Sequence, residues 1–312
     1  MIIVAGENVA DLIATEGGLL RPALGGGPAN TAVAAARLGA AVSFAARFGA
    51  DTFGRAFRDR LTGAGVDLRH ASELPAPSAL AVASIDASGA AAYDFWLYGA
   101  ADFNVVPLPR PDQSGAGDIL HIGSLAAYWP PGADVIEQWV TESPAAVPVT
   151  FDVNLRPIVL ATLPDAVARL ERLARRADVV KASDEDLRLA HPETDPEHTA
   201  RRWLDGRPGP KLVVLTLGEH GAVGLTREGE RVHVPAPRVE VADTIGAGDA
   251  LMGALLAELA ETGIEGLCEN LDATLRFVTA AAALACTKPG AYAPTRAEVE
   301  AQSRGCNSTA AR

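Results

Sequence analysis

Apolar residues along the chain follow two different periods. Short runs rich in Val, Ile and Leu predict buried β-strands, whereas longer stretches with apolar residues every three or four positions predict amphipathic helices. The predicted strands lie at residues 2–6, 42–49, 119–125, 147–154, 178–183 and 211–218. The predicted helices lie at residues 28–40, 52–65, 163–177 and 196–206. Because strands and helices alternate, we predict an α/β fold with a mainly parallel central sheet, covered by helices on both faces.

Two segments, residues 11–24 and 79–104, interrupt this alternation because they read as extended chain with turns and no helix between. The sequence Asp-Ala-Ser-Gly at 86–89 predicts a turn between two strands of the second segment. We expect the two segments to form a small β-sheet beside the main one. Ligands of open α/β sheets bind beside the carboxyl ends of the strands, so this small sheet would cover the site as a lid.

The chain has 312 residues, which is long for one core but ordinary for a large α/β domain with a small appendage. We expect residues 1–304 to form one domain that includes the lid, and residues 305–312 to form a polar C-terminal tail. Trp96 and Tyr98 lie in the lid segment, where they either cover a ligand or pack within the small sheet.

Composition and charge exclude several classes of protein. The formal net charge is −12 and no run of Lys or Arg occurs, so no nucleic-acid partner is expected. No stretch of about 18 apolar residues predicts a membrane span. The three cysteines are widely spaced and match no zinc motif, which favours idle thiols in a reducing compartment. The first residues predict a strand rather than a signal peptide, so we expect a cytoplasmic protein without a membrane partner.

The tetrapeptide Gly-Ala-Gly-Asp occurs twice, and the residues that follow the two copies differ. The copy at 115–118 precedes an apolar run, which predicts a turn into a strand with Asp118 capping that turn. The copy at 246–249 precedes four leucines at helical spacing, namely Leu251, Leu255, Leu256 and Leu259. We therefore expect the second copy at the N-terminus of a helix.

Gly246, Ala247 and Gly248 would then present backbone N–H groups without intrahelical partners, at the positive end of the helix dipole. Such a terminus binds anions, and small side chains let a phosphate approach the backbone closely. Asp249 would repel a resting phosphate, but it suits a base that removes the proton of a hydroxyl attacking phosphorus. From the local sequence alone, a plain N-terminal cap is the alternative interpretation of Asp249. The motif is neither a P-loop nor G-x-G-x-x-G.

Two segments resemble the signatures of one enzyme family. DTIGAGDALMGALLA at 243–257 resembles the C-terminal signature of the ribokinase-like (PfkB) sugar kinases, and GGGPANTAVAAARLGA at 25–40 resembles their N-terminal signature. The two occur in the family's order, and the resemblance extends over residues 1–300. It implies a ribokinase-like three-layer α/β/α sandwich with a small β-sheet lid. It also implies transfer of the γ-phosphoryl group of ATP to a sugar hydroxyl, with Asp249 as the base.

The resemblance implies sugar contacts from Asp11, from the loop of Gly25, Gly26 and Gly27, and from Asn30. It implies that Arg156 reaches the substrate or its transferring phosphate. Carboxylate and amide groups suit a sugar because they can bind several of its hydroxyls together. Read locally, the glycines form a turn before a buried helix, Asn30 is a polar helix start and Arg156 makes a surface ion pair. FDVNLRP ends a strand with Asp152, Asn154 and Arg156 at the edge of the site. It looks like the D-P-N-x-R of fructokinases and 2-keto-3-deoxygluconate kinases, with Val153 in place of the proline.

The resemblance also implies nucleotide and cation sites. ATP is expected to contact Thr216, Gly218, Gly221, Lys288 and Gly290. Asp243 resembles the residue that supports a monovalent cation, K⁺, beside the anion site. KASDEDL takes the place of the family's N-x-x-E segment, which helps to hold Mg²⁺, with Ser183 and Asp186 in the two positions. Asp186 is assigned to the metal on this basis, and a helix-capping Ser-x-x-Asp is the local alternative.

DVNLRP and YGAADFN look most like fructokinases, so fructose is the expected acceptor. A 2-keto-3-deoxygluconate kinase is the alternative, because Arg156 can pair with the carboxylate of that substrate, and ribose or a nucleoside is a further one. A sugar sensor without catalysis is a different class, and the presence of Asp249 argues against it. The implied cofactors are ATP, Mg²⁺ and K⁺. Exposed lid sheets often pair between subunits, which favours a homodimer through the lid.

Overall fold

The computed structural model describes residues 1–15, 19–85, 91–104, 108–109 and 118–309. The expected turn at 86–89 and residues 115–117 of the first Gly-Ala-Gly-Asp copy lie outside the described residues. Asp118, the last residue of that copy, accepts a hydrogen bond from the amino terminus of Met1 at 2.9 Å.

The described strands form one large sheet and two small ones. In chain order they are β1 (Ile2–Ala5), β2 (Val9–Ala14), β3 (Leu20–Gly25), β4 (Val42–Ala45), β5 (Arg47–Gly49), β6 (Ser72–Leu74), β7 (Ala79–Ile85), β8 (Ala91–Trp96), β9 (Ile119–Gly123), β10 (Val149–Asp152), β11 (Val179–Ser183), β12 (Leu212–Thr216), β13 (Ala222–Thr226) and β14 (Arg231–Val234). The large sheet has the order β14-β13-β12-β11-β10-β9-β1-β4. From β12 to β4 all neighbours are parallel, and β13 and β14 add an antiparallel edge, which confirms the predicted mainly parallel sheet.

Helices cover both faces of this sheet. In the described residues they are α1 (Gly27–Arg37), α2 (Thr52–Gly63), α3 (Gly132–Glu142), α4 (Pro157–Thr162), α5 (Ala166–Arg176), α6 (Asp184–Ala190), α7 (Pro196–Asp205), α8 (Ala247–Glu269), α9 (Leu271–Ala285) and α10 (Arg296–Thr309). Strand side chains alternate between two cores: Ile3 joins the core of α3 to α7, whereas Ile2 joins that of α1, α2 and α8 to α10. The three-layer α/β/α prediction is confirmed.

A separate four-stranded sheet, in the order β3-β2-β7-β8, stands beside the large one and is called the small sheet below. β2 pairs in parallel with β7, while β3 and β8 pair antiparallel at the two edges. The segments expected to form the lid supply these strands, although β2 begins at Val9 and residues 97–104 return to the main core. Trp96 is 56% exposed and Tyr98 is 78% exposed. The ring of Tyr98 also lies 5.2 Å from that of Trp129, in an edge-on contact.

One stretch departs from the sequence prediction. The run 42–49 is two strands rather than one, because β5 leaves the large sheet after Ala46 and pairs with β6. The last helix, α10, continues to Thr309, and the division into a domain at residues 1–304 and a polar tail stays a prediction. Among the described residues, every helix is too short or too polar to cross a membrane.

Candidate active site

The second Gly-Ala-Gly-Asp copy lies at the N-terminus of α8. Gly246 has a φ of 78°, a left-handed conformation that favours glycine. α8 begins at Ala247, whose N–H donates to the carbonyl of Thr244 at 3.3 Å. The amides of Gly248 and Asp249 follow in the first turn, where helix geometry provides no intrahelical carbonyl for them. These two amides and the helix dipole give this terminus the donors and the positive field that an anion site needs, and anion binding here remains a prediction.

A side-chain network holds the carboxylate of Asp249. Its Oδ2 accepts a hydrogen bond from Nδ2 of Asn30 at 2.8 Å. Oδ1 of Asn30 in turn accepts from the guanidinium of Arg60 at 2.8 Å, and Arg60 also donates to the carbonyl of Leu24 at 2.9 Å. Because Arg60 occupies the oxygen of Asn30, the amide NH₂ of Asn30 must face Asp249. Asp249 as a whole residue is half-buried.

Burial raises the pKa of Asp249, and the Asn30 hydrogen bond and the positive charges of Lys181 and Arg156 oppose this rise. Burial also raises the pKa of Asp11, to about 6, with Arg156 lowering it and Asp249 raising it further. The fold thus brings Asp11, Arg156 and Asp249 within electrostatic reach, although they belong to different elements. A raised pKa suits a carboxylate that accepts a proton, because its conjugate acid is more stable.

A buried ion pair lies beneath the anion site. Nζ of Lys181, on β11, donates to both carboxylate oxygens of Asp152 at 3.0 and 3.1 Å. A Cβ atom on Gly248 would lie 3.0 Å from the same Nζ, so the ammonium group is adjacent to the helix terminus. Burial acts to lower the pKa of Lys181, but Asp152 and Asp186 outweigh it and raise that pKa. Lys181 therefore keeps its positive charge next to the anion-binding amides.

The glycine loop between β3 and α1 meets the ends of two central strands. A Cβ atom on Gly27 would lie 2.8 Å from Nδ2 of Asn154 and 3.2 Å from Oγ of Ser124, so a larger residue would displace both. Asn154 and Ser124 themselves have φ values of 35° and 57°, which non-glycine residues rarely adopt. Strained positions of this kind concentrate at functional sites. Gly26, with a φ of 94°, and Gly25, which packs on the Asp11 carboxylate, complete the loop.

Asp243 ties together two loops beside the anion site. Its Oδ1 accepts from the N–H of Ile245 at 3.0 Å, and its Oδ2 accepts from the N–H of Gly290 at 2.8 Å. A Cβ atom on Gly246 would lie 2.8 Å from Cβ of Ala291, which shows how closely the loops approach. Asp243 therefore fixes the segment before α8 against the segment after α9.

The remaining expected nucleotide residues lie on two loops. Thr216 ends β12, and Gly218 and Gly221 follow with φ values of 56° and 92°. A Cβ atom at Gly221 would collide with the carbonyl of Val234, whereas one at Gly218 would meet open space. Lys288 places Nζ 3.8 Å from the centre of the Tyr292 ring. His220, between Gly218 and Gly221, has a side chain that is 78% exposed.

Asp186 forms a capping box at the start of α6. Its Oδ2 accepts from the N–H of Ser183, and the hydroxyl of Ser183 accepts from the N–H of Asp186. Its Oδ1 accepts from the N–H of Leu155 at 2.8 Å. The capping alternative is therefore present in the structure. Each oxygen keeps one lone pair, and a role of Asp186 in holding a metal remains a prediction.

Comparison with known proteins identifies the family. Residues 2–298 match the sequence profile described as pfkB family carbohydrate kinase. The chain belongs to the pfkB family of carbohydrate kinases. It is 33% identical to the fructokinase of Rhizobium leguminosarum bv. trifolii over 263 residues, covering 83% of this chain and 79% of the relative.

Solved structures of fructokinases share the fold of this chain. The crystal structure of fructokinase from Xylella fastidiosa with bound ATP has a TM-score of 0.87 at 31% identity and covers 98% of each chain. Fructokinase from Vibrio cholerae O395, in a form with fructose, ADP and calcium ion, has a TM-score of 0.84 at 30% identity and covers 96% of this chain and 98% of its own. The pfkB protein described here is an ATP-dependent sugar kinase with a ribokinase-like fold.

In this kinase the two signature segments meet at Asp249, whose carboxylate accepts a hydrogen bond from Asn30 and whose backbone carbonyl accepts one from the hydroxyl of Thr31. Arg156 lies near enough to act on both carboxyls: its positive charge lowers the pKa of Asp11 and that of Asp249. Sequence reasoning missed Lys181 and Arg60. A single lysine inside the apolar strand VVKAS was the available signal for the first, since buried charges need a partner. Nothing in the local sequence of α2 marked the second.

Proposed function

We propose that this kinase transfers the γ-phosphoryl group of ATP to a primary hydroxyl of fructose, with Asp249 as general base. The observation that carries the proposal is the Asp249 carboxylate at the start of α8, held by Asn30 of the opposite signature segment. Support for fructose comes from the similar fructokinases, of which the Vibrio cholerae enzyme was crystallised with fructose and ADP.

In this mechanism the hydroxyl oxygen attacks Pγ in line with the leaving oxygen of ADP. The O–H proton passes to the carboxylate of Asp249 as the new P–O bond forms and the bond to ADP breaks. Burial raises the pKa of Asp249, which increases its strength as a base. The amides of Gly248 and Asp249, with the ammonium of Lys181 nearby, stabilise the negative charge on the transferring group.

The acceptor is held from two sides. Asp11 and the loop Gly26–Gly27 belong to the small sheet and its connection, whereas Asn30 and Arg156 belong to the main body. Groups that bind several hydroxyls at once place the reacting hydroxyl near Asp249, and positioning of this kind supplies much of the rate gain. Closure of the small sheet would exclude water, which competes as an acceptor.

The nucleotide is proposed to contact Thr216, Gly218, Gly221, Lys288 and Gly290. The described residues contain no cluster of three metal-binding side chains, which fits Mg²⁺ held mainly by phosphates and water, with Asp186 acting through water. Mg²⁺ would neutralise charge on the phosphates. Asp243 fits a K⁺ site indirectly, because its carboxylate fixes both loops whose carbonyls would bind the ion.

Two further properties belong to this proposal. The exposed Leu20 and Trp96 of the small sheet favour a homodimer formed through that sheet. Cytoplasmic localisation follows from the supply of ATP and from the metabolic role of a sugar kinase.

A 2-keto-3-deoxygluconate kinase is the second candidate, because the exposed Arg156 guanidinium at the cleft could bind a carboxylate on the substrate. ADP formation measured with fructose, 2-keto-3-deoxygluconate, ribose and adenosine separates the candidates. We expect the highest kcat/KM with fructose. A preference for 2-keto-3-deoxygluconate that disappears in Arg156→Ala would establish the second candidate. Sugar binding without ADP formation from any acceptor would instead indicate a sensor.

A further inference from the structure

In the described residues, the chain passes between the main body and the small sheet at four crossing segments. These are residues 6–8 before β2, residue 26 after β3, residues 75–78 before β7 and residues 97–101 after β8. Any interaction that fixes these segments relative to one another also fixes the orientation of the small sheet on the main body.

Asp102 follows the last crossing segment and binds both the first crossing segment and the start of β7. Its Oδ1 accepts from the backbone N–H of Asn8 at 3.0 Å and from the side-chain amide of Asn8 at 3.2 Å. Its Oδ2 accepts from the backbone N–H of Ala79, the first residue of β7, at 2.9 Å. Both Asp102 and Asn8 are buried. One carboxylate thus joins the starts of β2 and β7 to the chain returning from β8.

Other contacts bring all four crossing segments to the same place. The N–H of Ala101 donates to the carbonyl of Pro77 at 2.8 Å. A Cβ atom on Gly26 would lie 2.7 Å from the carbonyl oxygen of Glu7 and 2.9 Å from Cα of Asn8. Gly26 therefore packs directly on the first crossing segment, in which Asn8 also binds Asp102.

We propose that Asp102 is a positioning residue, which sets the orientation of the small sheet and thereby the place of Asp11 relative to Asp249. The parallel pairing of β2 with β7 begins at Val9 and Ala79, next to the two amides that Asp102 binds. Asp11 lies two residues further along β2 in the same pairing, so a shift at the root of the strands moves its carboxylate. The inference rests on the proposed function, in which Asp11 binds the sugar.

Stability alone does not account for a carboxylate at this position. Burial raises the pKa of Asp102 to about 6 despite its hydrogen bonds, and the neighbouring Glu7 is a second buried acid. Burying a charge costs free energy that well-packed apolar residues would not cost. A carboxylate instead offers two oxygens that accept hydrogen bonds from separate segments in a fixed geometry. Asp102 therefore fixes the starts of β2 and β7 relative to the chain that returns from β8.

The test compares wild type with Asp102→Asn, which keeps the shape but turns one acceptor oxygen into a donor facing an N–H. We expect the KM for fructose to rise about ten- to hundredfold, the order that follows from misplacing a substrate-binding group. The KM for ATP should stay within about twofold, because the expected nucleotide residues lie on other loops. ATP hydrolysed without sugar phosphate formed should also increase, since the small sheet would close less well.

Asp94→Asn is the matched control, because Asp94 is an exposed carboxylate on β8 of the same sheet, and its kinetics should equal wild type. Asn8→Ala is the second variant, since it removes only the side-chain hydrogen bond and should raise the fructose KM by a smaller factor. A folded Asp102→Asn with a lower melting temperature but unchanged fructose KM and unchanged hydrolysis would overturn the inference. If Asp102→Asn does not fold, an unchanged fructose KM in Asn8→Ala overturns it.

Failure of the proposed function is distinguishable from failure of this inference. A wild-type protein without sugar-dependent ADP formation would refute both. An active wild type whose Asp102 variant keeps both its fructose KM and its coupling of ATP use to sugar phosphate would refute the inference alone.

Discussion

The large and small sheets carry different parts of the proposed site, and their surroundings differ. Strands β1, β9 and β10 of the large sheet are buried along their whole length between two helical layers. The small sheet is covered less completely: Leu20 and Trp96 on its edge strands are about half exposed. Lys181 and Asp152 lie on the first sheet, and Asp249 lies on a helix packed against it, whereas Asp11 lies on the second.

This difference in burial matches two requirements of phosphoryl transfer, namely fixed catalytic groups and an acceptor site that can open. Groups that accept the proton or meet developing charge need fixed positions, and close-packed surroundings provide them. Groups that bind the acceptor must also admit it and release the product, which a more exposed sheet on narrow connections allows. A change at Asp249 on the main body should therefore act mainly on kcat, and a change at Asp11 on the small sheet mainly on the KM of the sugar.

The largest expected effect is on the main body. Asp249→Asn should lower kcat by about 10²–10⁴-fold, the usual contribution of a general base. The KM values of sugar and ATP should change little, because the amide oxygen can still accept the hydrogen bond from Asn30. Steady-state kinetics with Asp59→Asn, an exposed carboxylate on α2, as the control would test this. Near-normal turnover in the Asp249 variant would refute the role of Asp249 as general base.

The second expected effect is on the pH dependence of stability, and it concerns Glu7 in the crossing segment 6–8. Burial raises the pKa of Glu7 from 4.5 to about 7, which corresponds to about 3 kcal/mol. The folded state therefore binds this proton more tightly than the unfolded chain does. The contribution of protonated Glu7 to the free energy of unfolding is fully present below pH 4.5 and is lost as the pH rises through about 7. Glu7→Gln should remove that dependence.

The measurement is the free energy of unfolding of wild type and Glu7→Gln at pH 5 and pH 8. Relative to the variant, wild type should lose stability over this interval by an amount on the order of 2 kcal/mol. Glu73→Gln, at an exposed glutamate on β6, should show the wild-type dependence. Parallel curves for wild type and Glu7→Gln would contradict the raised pKa.

The third effect lies on the small sheet. Asp11→Asn should raise the KM of the sugar about ten- to hundredfold, as loss of a hydrogen bond to a charged group costs about 1.5–3 kcal/mol. The value of kcat should fall less than in Asp249→Asn. Asp94→Asn is again the control. If Asp11→Asn instead lowered kcat alone, the division of roles between the two sheets would be wrong.

The smallest effect is expected at the anion-binding turn. Gly246→Ala places a side chain at a φ of 78° and against Ala291, and the left-handed conformation alone costs about 1–2 kcal/mol. Gly229→Ala has the same backbone cost, with a φ of 95°, but meets no atom within 4 Å. Both variants should melt at a lower temperature, while only Gly246→Ala should raise the KM of ATP. Equal ATP KM values in the two variants would argue against phosphate binding at Gly246–Gly248.

Sequence periodicity was sufficient for the elements whose apolar faces are regular. The leucines Leu251, Leu255, Leu256 and Leu259 are all buried on α8, as their spacing indicated. The break at Ala46 was not predictable, because residues 42–46 are all buried and so are Phe48 and Gly49 after the change in partner. Which strand β5 joins depends on β6, a segment more than twenty residues away along the chain.

The signature motifs named Asn30 and Asp249 but not the interactions that hold them. Arg60 reaches Asn30 from a helix whose own pattern shows only an amphipathic face. Lys181 and Asp152 are neighbours because β10 and β11 pair in register, which is a tertiary fact. The two interpretations of Asp186 were both compatible with Ser-x-x-Asp, and the capping hydrogen bonds appear only in the folded chain. The local sequence does not show which side chains become partners when they lie far apart along the chain.

The most direct test of the account is the pH dependence of kcat with saturating fructose and ATP, compared between wild type and Asp249→Asn. If Asp249 accepts the proton, the wild-type rate should fall as the pH decreases through the raised pKa of this carboxyl, because the protonated acid cannot act as a base. The residual rate of Asp249→Asn should lack that fall. The same acidic decline in both proteins would contradict proton transfer to Asp249.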